Sequence, residues 1–201
     1  MISILDYSVN NLRSVQKAFE HLGHPTRVVS HPDEIAGADR LVLPGVGAFG
    51  EAMRNLRARD LIEPVVEHAQ SGRPLLGVCL GMQLLFDWSD ELGLSVGLGV
   101  LAGRVEKFAS APDLKVPHMG WSALAFPRPS NLYRGLEQGE MTYFVHSYHV
   151  VPEDPSVIAA TACHGTQFVA GVERGSVMGA QFHPEKSSAV GLRILDNFAR
   201  L

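Results

Sequence analysis

The chain has 201 residues, 46% of them hydrophobic and 19% charged, with a formal net charge of -4 at neutral pH. That length suffices for one well-buried core and not for two enzymes, so residues 1–201 read as a single domain, and the composition excludes a disordered or fibrous chain. Lys and Arg are scattered singly, which excludes a nucleic-acid footprint or an anionic-membrane anchor, and no apolar stretch approaches bilayer-spanning length. Met1 to Asp6 enter an apolar run without a basic leader or a small-residue cleavage site, so no signal peptide is expected. The two cysteines, Cys79 and Cys163, are too few for a stapled scaffold. This usage places the chain in a reducing cytoplasm, with a Cys79–Cys163 disulfide left open.

Short apolar runs alternate with helically spaced segments through the first half. Ile2 to Leu5 read as a strand and Asn11 to Leu22 as a helix, with Leu12, Val15, Phe19 and Leu22 on one face and Gly23 closing it. Arg27 to Val29 and Arg40 to Leu43 are the next strands, the second ending in Pro44-Gly45-Val46-Gly47. Helices follow at Phe49 to Leu56 and Ile62 to Ala69, then a strand at Pro74 to Val78 and a helix at Leu80 to Trp88. From Val100 the runs turn β-like: Val100 to Phe108, Thr142 to Val151, Val157 to Ala162, Phe168 to Glu173 and Val177 to Phe182, before a last helix over Ser187 to Leu201. The pattern predicts an α/β fold, an open mostly parallel sheet flanked by helices with antiparallel strand additions in the second half.

Three places carry candidate chemistry. Gly77-Val78-Cys79-Leu80-Gly81 lies where a strand run gives way to helical spacing, the setting of a strand–elbow–helix turn that exposes its central side chain. The helix start favours thiolate over thiol, and the Leu80 amide would point at a reacting carbonyl. The other reading of these residues is a small buried cysteine at the end of a core strand. His183-Pro184-Glu185 ends another apolar run; residues two apart on extended backbone share a face, so the carboxylate can hold the imidazole tautomer with its second nitrogen toward a thiol. The other reading of His183 is a strand-end histidine bonded to a backbone carbonyl. Pro44-Gly45-Val46-Gly47 ends a strand at the edge where open α/β sheets bind ligands; without a following Lys it suits a second oxyanion donor better than a phosphate cradle, a plain turn being the alternative.

Other histidines are set aside. His24-Pro25 and His31-Pro32 read as turns, Cys163 and His164 as strand neighbours on opposite faces, His146 and His149 as opposite-facing and so no metal clip, and His118 as lacking a partner.

Taken together, Gly77 to Phe86, with Gln181-Phe182-His183-Pro184-Glu185-Lys186-Ser187, resembles the triad glutamine amidotransferases. Pro44 to Phe49, Pro117-His118-Met119-Gly120-Trp121 and Tyr143-Phe144-Val145-His146-Ser147-Tyr148 narrow the resemblance to the glutaminase subunits of imidazole glycerol phosphate synthase, in the same order along the whole chain. The resemblance implies that Cys79 attacks the glutamine side-chain amide, His183 moves the proton and Glu185 orients His183. It also implies Val46 and Leu80 amides as oxyanion donors. Gly45, Gly47, Gln83, Glu91, Ser147 and Tyr148 are implied as the glutamine-binding set, with Glu91 facing the α-ammonium and Ser147 and Tyr148 the α-carboxylate. No cofactor or metal is implied. The implied partner is a separate (β/α)8 cyclase chain that receives ammonia and makes imidazole glycerol phosphate and an aminoimidazole carboxamide ribotide, with Trp121 and Tyr143 near the interface. Without the family match, Glu91 reads equally as a solvated acid, and Trp121 and Tyr143 as core aromatics. The sequence departs from the family pattern at Asp6 to Asn11, where glycines are usual, and at Ser122, where Asn is expected. A glutaminase feeding another synthase, such as one making pyridoxal phosphate, and a non-catalytic regulatory subunit are the competing readings. An esterase is disfavoured because its acid precedes its base at a distance.

Overall fold

The computed structural model describes residues 1–8, 11–109 and 114–201; Val9 and Asn10 of the departing Asp6 to Asn11 segment lie outside them. Strand and helix alternate first: β1 (Ile2–Leu5), α1 (Leu12–His21), β2 (Thr26–Val29), α2 (Pro32–Ala36), β3 (Arg40–Leu43), α3 (Phe49–Ala58), α4 (Ile62–Gln70), β4 (Leu75–Val78) and α5 (Leu80–Leu84). β1 and β4 are buried along their whole length, as expected of parallel strands covered on both faces. Then come β5 (Phe86–Ser89), β6 (Ser95–Val96), β7 (Leu101–Lys107), β8 (His118–Ala123), β9 (Met141–His146), β10 (Tyr148–Pro152), β11 (Ile158–His164), β12 (Thr166–Arg174), β13 (Val177–Ala180) and α6 (Ser188–Ala199).

The main sheet runs β11-β12-β13-β4-β3-β1-β2, parallel from β13 to β2, with β12 and β11 added antiparallel. The fold class is therefore the one expected. Alternate residues face two separate cores: Leu41, Leu43 and Leu75 join Met53 and Leu56 of α3 and Val65 of α4, whereas Val42, Leu76 and Val78 join Phe19 of α1 and Ile194 and Phe198 of α6. A second sheet, β10-β7-β5-β6, and the antiparallel pair β8–β9 complete the β structure of the described residues. None of the described helices is long and apolar enough to cross a membrane.

Four local expectations are corrected. The helix predicted over Leu80 to Trp88 stops at Leu84, because the Leu84 and Leu85 carbonyls accept from the returning amides of Leu98, Val100 and Leu101; Phe86 onward is strand. Thr142 to Val151 is two strands broken at Ser147, since β9 pairs with β8 and β10 with β7. His31-Pro32 opens α2 rather than a turn, with the Glu34 carboxylate accepting from the Ser30 and His31 amides at 2.8 and 3.0 Å. β8 was not anticipated at all: its polar and glycine content hides it, and it exists by pairing with β9.

Candidate active site

β13, β4 and β3 are adjacent and parallel, with Gly179 opposite Gly77 and Gly77 opposite Leu43. Their carboxyl ends therefore deliver His183, Cys79 and the Pro44–Gly47 loop to one edge of the sheet, where such sheets open a crevice. Cys79 occupies a left-handed backbone conformation, φ 54° and ψ -112°, strained for a residue with a Cβ. The turn is over-determined: the Cys79 amide donates to Ala180 O at 2.7 Å, and its carbonyl accepts from the Met82 and Gln83 amides. It also demands glycine, since a Cβ at Gly81 would sit 1.7 Å from the Leu43 carbonyl oxygen. Both cysteines are free, Cys79 buried and Cys163 exposed.

A cavity of about 400 Å³ opens over the sulfur, lined by Cys79, Leu80, Val46, Gly47, Gln83, Glu91, Ser147, Tyr148 and His183, and also by Val145 and His146, which were not among the expected residues. Gly45 is not part of the lining. It backs the loop, where a Cβ would lie 2.5 Å from the Tyr7 hydroxyl, and that hydroxyl donates to Pro44 O at 2.6 Å. Tyr7 is wholly buried, and burial together with the nearby Cys79 keeps it protonated well beyond the usual phenol range. Glu185 stands behind His183, and Trp121 and Tyr143 lie away from the cavity, opposite each other on β8 and β9. Trp121 is 48% exposed, so of the two readings for it a core aromatic is excluded.

His183 Nδ1 and Glu185 Oε1 are 2.8 Å apart, with both side chains 1% exposed. Burial pulls the imidazole down, but Cys79 and Glu185 outweigh it and raise His183 to about 10. For Glu185 burial pushes upward, and His183 and Asn11 hold the carboxyl below its ordinary range all the same. The pair is an imidazolium and a carboxylate, and Nε2, with no hydrogen bond of ordinary length, is left for the sulfur.

Sequence reasoning missed three supporting side chains. Asn11 Nδ2 donates to Glu185 Oε1 at 2.6 Å, fixing the carboxylate from the far end of the chain. Ser187 Oγ donates to His183 O at 2.7 Å and accepts from the Tyr143 amide, clamping the turn after β13. Gln181 Nε2 points at Cys79 Sγ from 3.7 Å. Only Gln181 left a signal, lying two residues before His183 in the same run; Glu185 reaches His183 Nδ1 not along the extended backbone expected but from a 3-10 turn over Pro184–Lys186. The set-aside histidines also differ from expectation. His118 has a partner in His146, at 3.2 Å. His146 and His149 do not face apart: their rings lie 5.2 and 4.7 Å from Phe108, because the break at Ser147 resets the alternation. Among the described residues no group of three or more His, Cys, Asp or Glu is arranged to hold a metal ion.

Glu91 Oε2 accepts from the Phe49 amide at 2.6 Å at the start of α3, so its carboxylate is fixed at the cavity wall rather than loose in solvent. A larger cavity of about 630 Å³ surrounds Arg128, Tyr133 and Arg134, but the Arg128 and Glu173 side chains in its wall are already committed. The Arg128 guanidinium serves the carbonyls of Val157, Ile158 and Glu173, and the Glu173 carboxylate accepts from Ser130, Asn131 and Leu132.

A strained cysteine elbow facing an imidazolium–carboxylate pair across a cavity is the equipment of a thiol-dependent acyl-transfer enzyme. The chain belongs to the class-I glutamine amidotransferase family, whose model, described as "Glutamine amidotransferase class-I", matches residues 3–200. Among individual relatives, it is 55% identical to the imidazole glycerol phosphate synthase subunit HisH of Syntrophotalea carbinolica over 98% of each chain. It is 50% identical to the subunit of the same name from Thermosynechococcus vestitus, over 100% of this chain and 96% of that one. The structure of PurLQS from Thermotoga maritima superposes with a TM-score of 0.78 at 19% identity, over 99% of this chain and 97% of that one, a likeness of fold.

Proposed function

We propose that this chain is the glutaminase subunit of an imidazole glycerol phosphate synthase, hydrolysing glutamine to glutamate and ammonia for a cyclase partner. The observation that carries the reading is the Cys79 elbow sharing one cavity with His183, whose Nδ1 is held 2.8 Å from a buried carboxylate. The attacking form of the sulfur is the thiolate. The sulfur adds to the glutamine side-chain carbonyl, and the amides of Val46 and Leu80 receive the oxyanion. His183, already charged, gives its Nε2 proton to the departing nitrogen as the C–N bond breaks, leaving ammonia and a glutamyl thioester. A water then loses a proton to the neutral imidazole as it attacks the thioester, and glutamate and the thiolate–imidazolium pair are regenerated.

Substrate seats follow from charge. Glu91, fixed by the Phe49 amide, suits the α-ammonium, and the Ser147–Tyr148 segment across the cavity suits the α-carboxylate. Both hydrogens of the Gln83 amide are spent on protein carbonyls, so Gln83 offers the substrate its Oε1 alone, as an acceptor. The exposed Trp121, with Tyr143 at a ring distance of 6.0 Å, forms part of the face that meets the (β/α)8 cyclase. The relatives named as HisH subunits support this partner over that of another synthase. Glutamate release is to be measured with and without the cyclase. Release that depends on the cyclase and falls by at least about a thousandfold in Cys79→Ala is expected; an alanine variant as fast as the parent ends the reading.

A further inference from the structure

Three buried polar side chains near the cavity have no part in the reaction above: His118, His146 and Gln181. His118 and His146 face each other across β8 and β9, and their hydrogen bonds decide where each proton sits. The Tyr148 carbonyl can only accept, so His146 Nδ1, 2.8 Å away, donates to it. With that hydrogen used, Nε2 of a neutral His146 accepts, and His118 Nδ1 at 3.2 Å donates. His118 Nε2 is then the acceptor for the Ser122 hydroxyl at 3.0 Å. Neutral rings are what burial produces here, holding His118 down at about 4 and His146 at about 3.

The same Tyr148 carbonyl also accepts from Gln83 Nε2 at 2.9 Å. The second hydrogen of that amide goes to Gln181 Oε1 at 3.0 Å, and Gln181 Nε2 reaches the Cys79 sulfur. An unbroken line of hydrogen bonds thus connects Ser122, next to the exposed Trp121, with the sulfur. It is not a proton wire, because two donors converge on one carbonyl and carboxamides do not hand protons on. Its capacity is positional: a carbonyl that accepts from two fixed donors is restricted in orientation.

We propose that His146, backed by His118 and Ser122, is a positioning residue for the Ser147–Tyr148 wall, sharing the Tyr148 carbonyl with Gln83 and so locking the glutamine seat to the Gln181–Cys79 contact. The inference rests on the proposed reading of that wall as the α-carboxylate seat. His118 does not line the cavity, yet cutting the line there loosens the seat and weakens glutamine binding more than it slows the chemistry. The competing account of His118 is packing, since its ring stacks between Phe144 and His164 at 4.9 and 4.2 Å.

Two variants separate the accounts. An amide nitrogen in His118→Asn falls near the place of Nδ1 and still donates to His146, whereas His118→Leu fills similar space and donates nothing. Assayed with the cyclase, His118→Leu is expected to raise KM for glutamine about tenfold with kcat within about twofold, and His118→Asn to stay within about threefold of the parent KM. An unchanged KM in the leucine variant, or equal loss in both, overturns the proposal. Should the leucine variant not fold, 15N NMR of the imidazoles in the unaltered chain decides: both rings carry hydrogen on Nδ1 at neutral pH, and an Nε2–H tautomer in either ring sinks the idea. A parent chain that released no glutamate with the cyclase would remove the glutaminase reading while leaving the tautomer result intact.

Discussion

Asn11 shows how one residue settles the state of a triad it does not belong to. Its backbone is left-handed, φ 81°, a conformation that asparagine tolerates where most side chains do not, and this aims the amide at Glu185. The carboxylate needs that donor because it is almost wholly buried and its other oxygen has no hydrogen-bond partner. Asn11→Gly keeps the backbone conformation and removes the donor. Losing a hydrogen bond to a buried charge costs about 1.5 to 3 kcal/mol, so kcat is expected to fall roughly ten- to a hundredfold with little change in KM. Steady-state kinetics within twofold of the parent would show that His183 and Glu185 orient themselves without it.

At the scale of elements, the catalytic edge depends on how closely α5 approaches β3. With a Cβ at Gly81 placed 1.7 Å from the Leu43 carbonyl, Gly81→Ala must displace backbone rather than a side chain. It is expected to destabilise by about 3 kcal/mol or more and to abolish glutaminase activity even below the unfolding temperature, read by calorimetry and assay together. Such elements were legible where local pattern decides them: β1, β3 and β4 as short, mostly apolar runs, α1 and α3 as helically spaced segments, the cysteine elbow as glycines flanking a strand end. The helix/strand boundary after Leu84 was not, because the returning amides of Leu98 to Leu101 decide it. β8 was hidden for the same reason, its existence resting on register with β9. In the site, Cys79, His183 and Glu185 carry their own spacing, whereas Asn11 and Ser187 act through partners that no sequence period connects to them.

For the whole molecule, the two histidine environments act on stability in opposite pH windows, and their signs can be worked out separately. His183 is raised to about 10 from an ordinary 6.5, so its contribution is complete below 6.5 and is lost as pH climbs through 10. Glu185 is lowered from an ordinary 4.5, so its contribution is complete above 4.5 and goes only on further acidification. Between pH 6.5 and 4.5 both are therefore silent. In that interval the unfolded chain takes up protons that His118 and His146 refuse until about 4 and 3, and stability must fall as pH is lowered. Burial also lowers His68 and His149, with the same sign. Each proton bound only by the unfolded chain costs up to about 1.4 kcal/mol per pH unit. Urea-unfolding free energies at intervals from pH 4.5 to 6.5 should thus rise with pH, on a limb carried by His118 and His146 together with His68 and His149. His118→Leu should make that limb shallower, since a ring that refuses its proton in the fold is then missing from both states. A limb as steep in that variant as in the parent would contradict this source of the pH dependence.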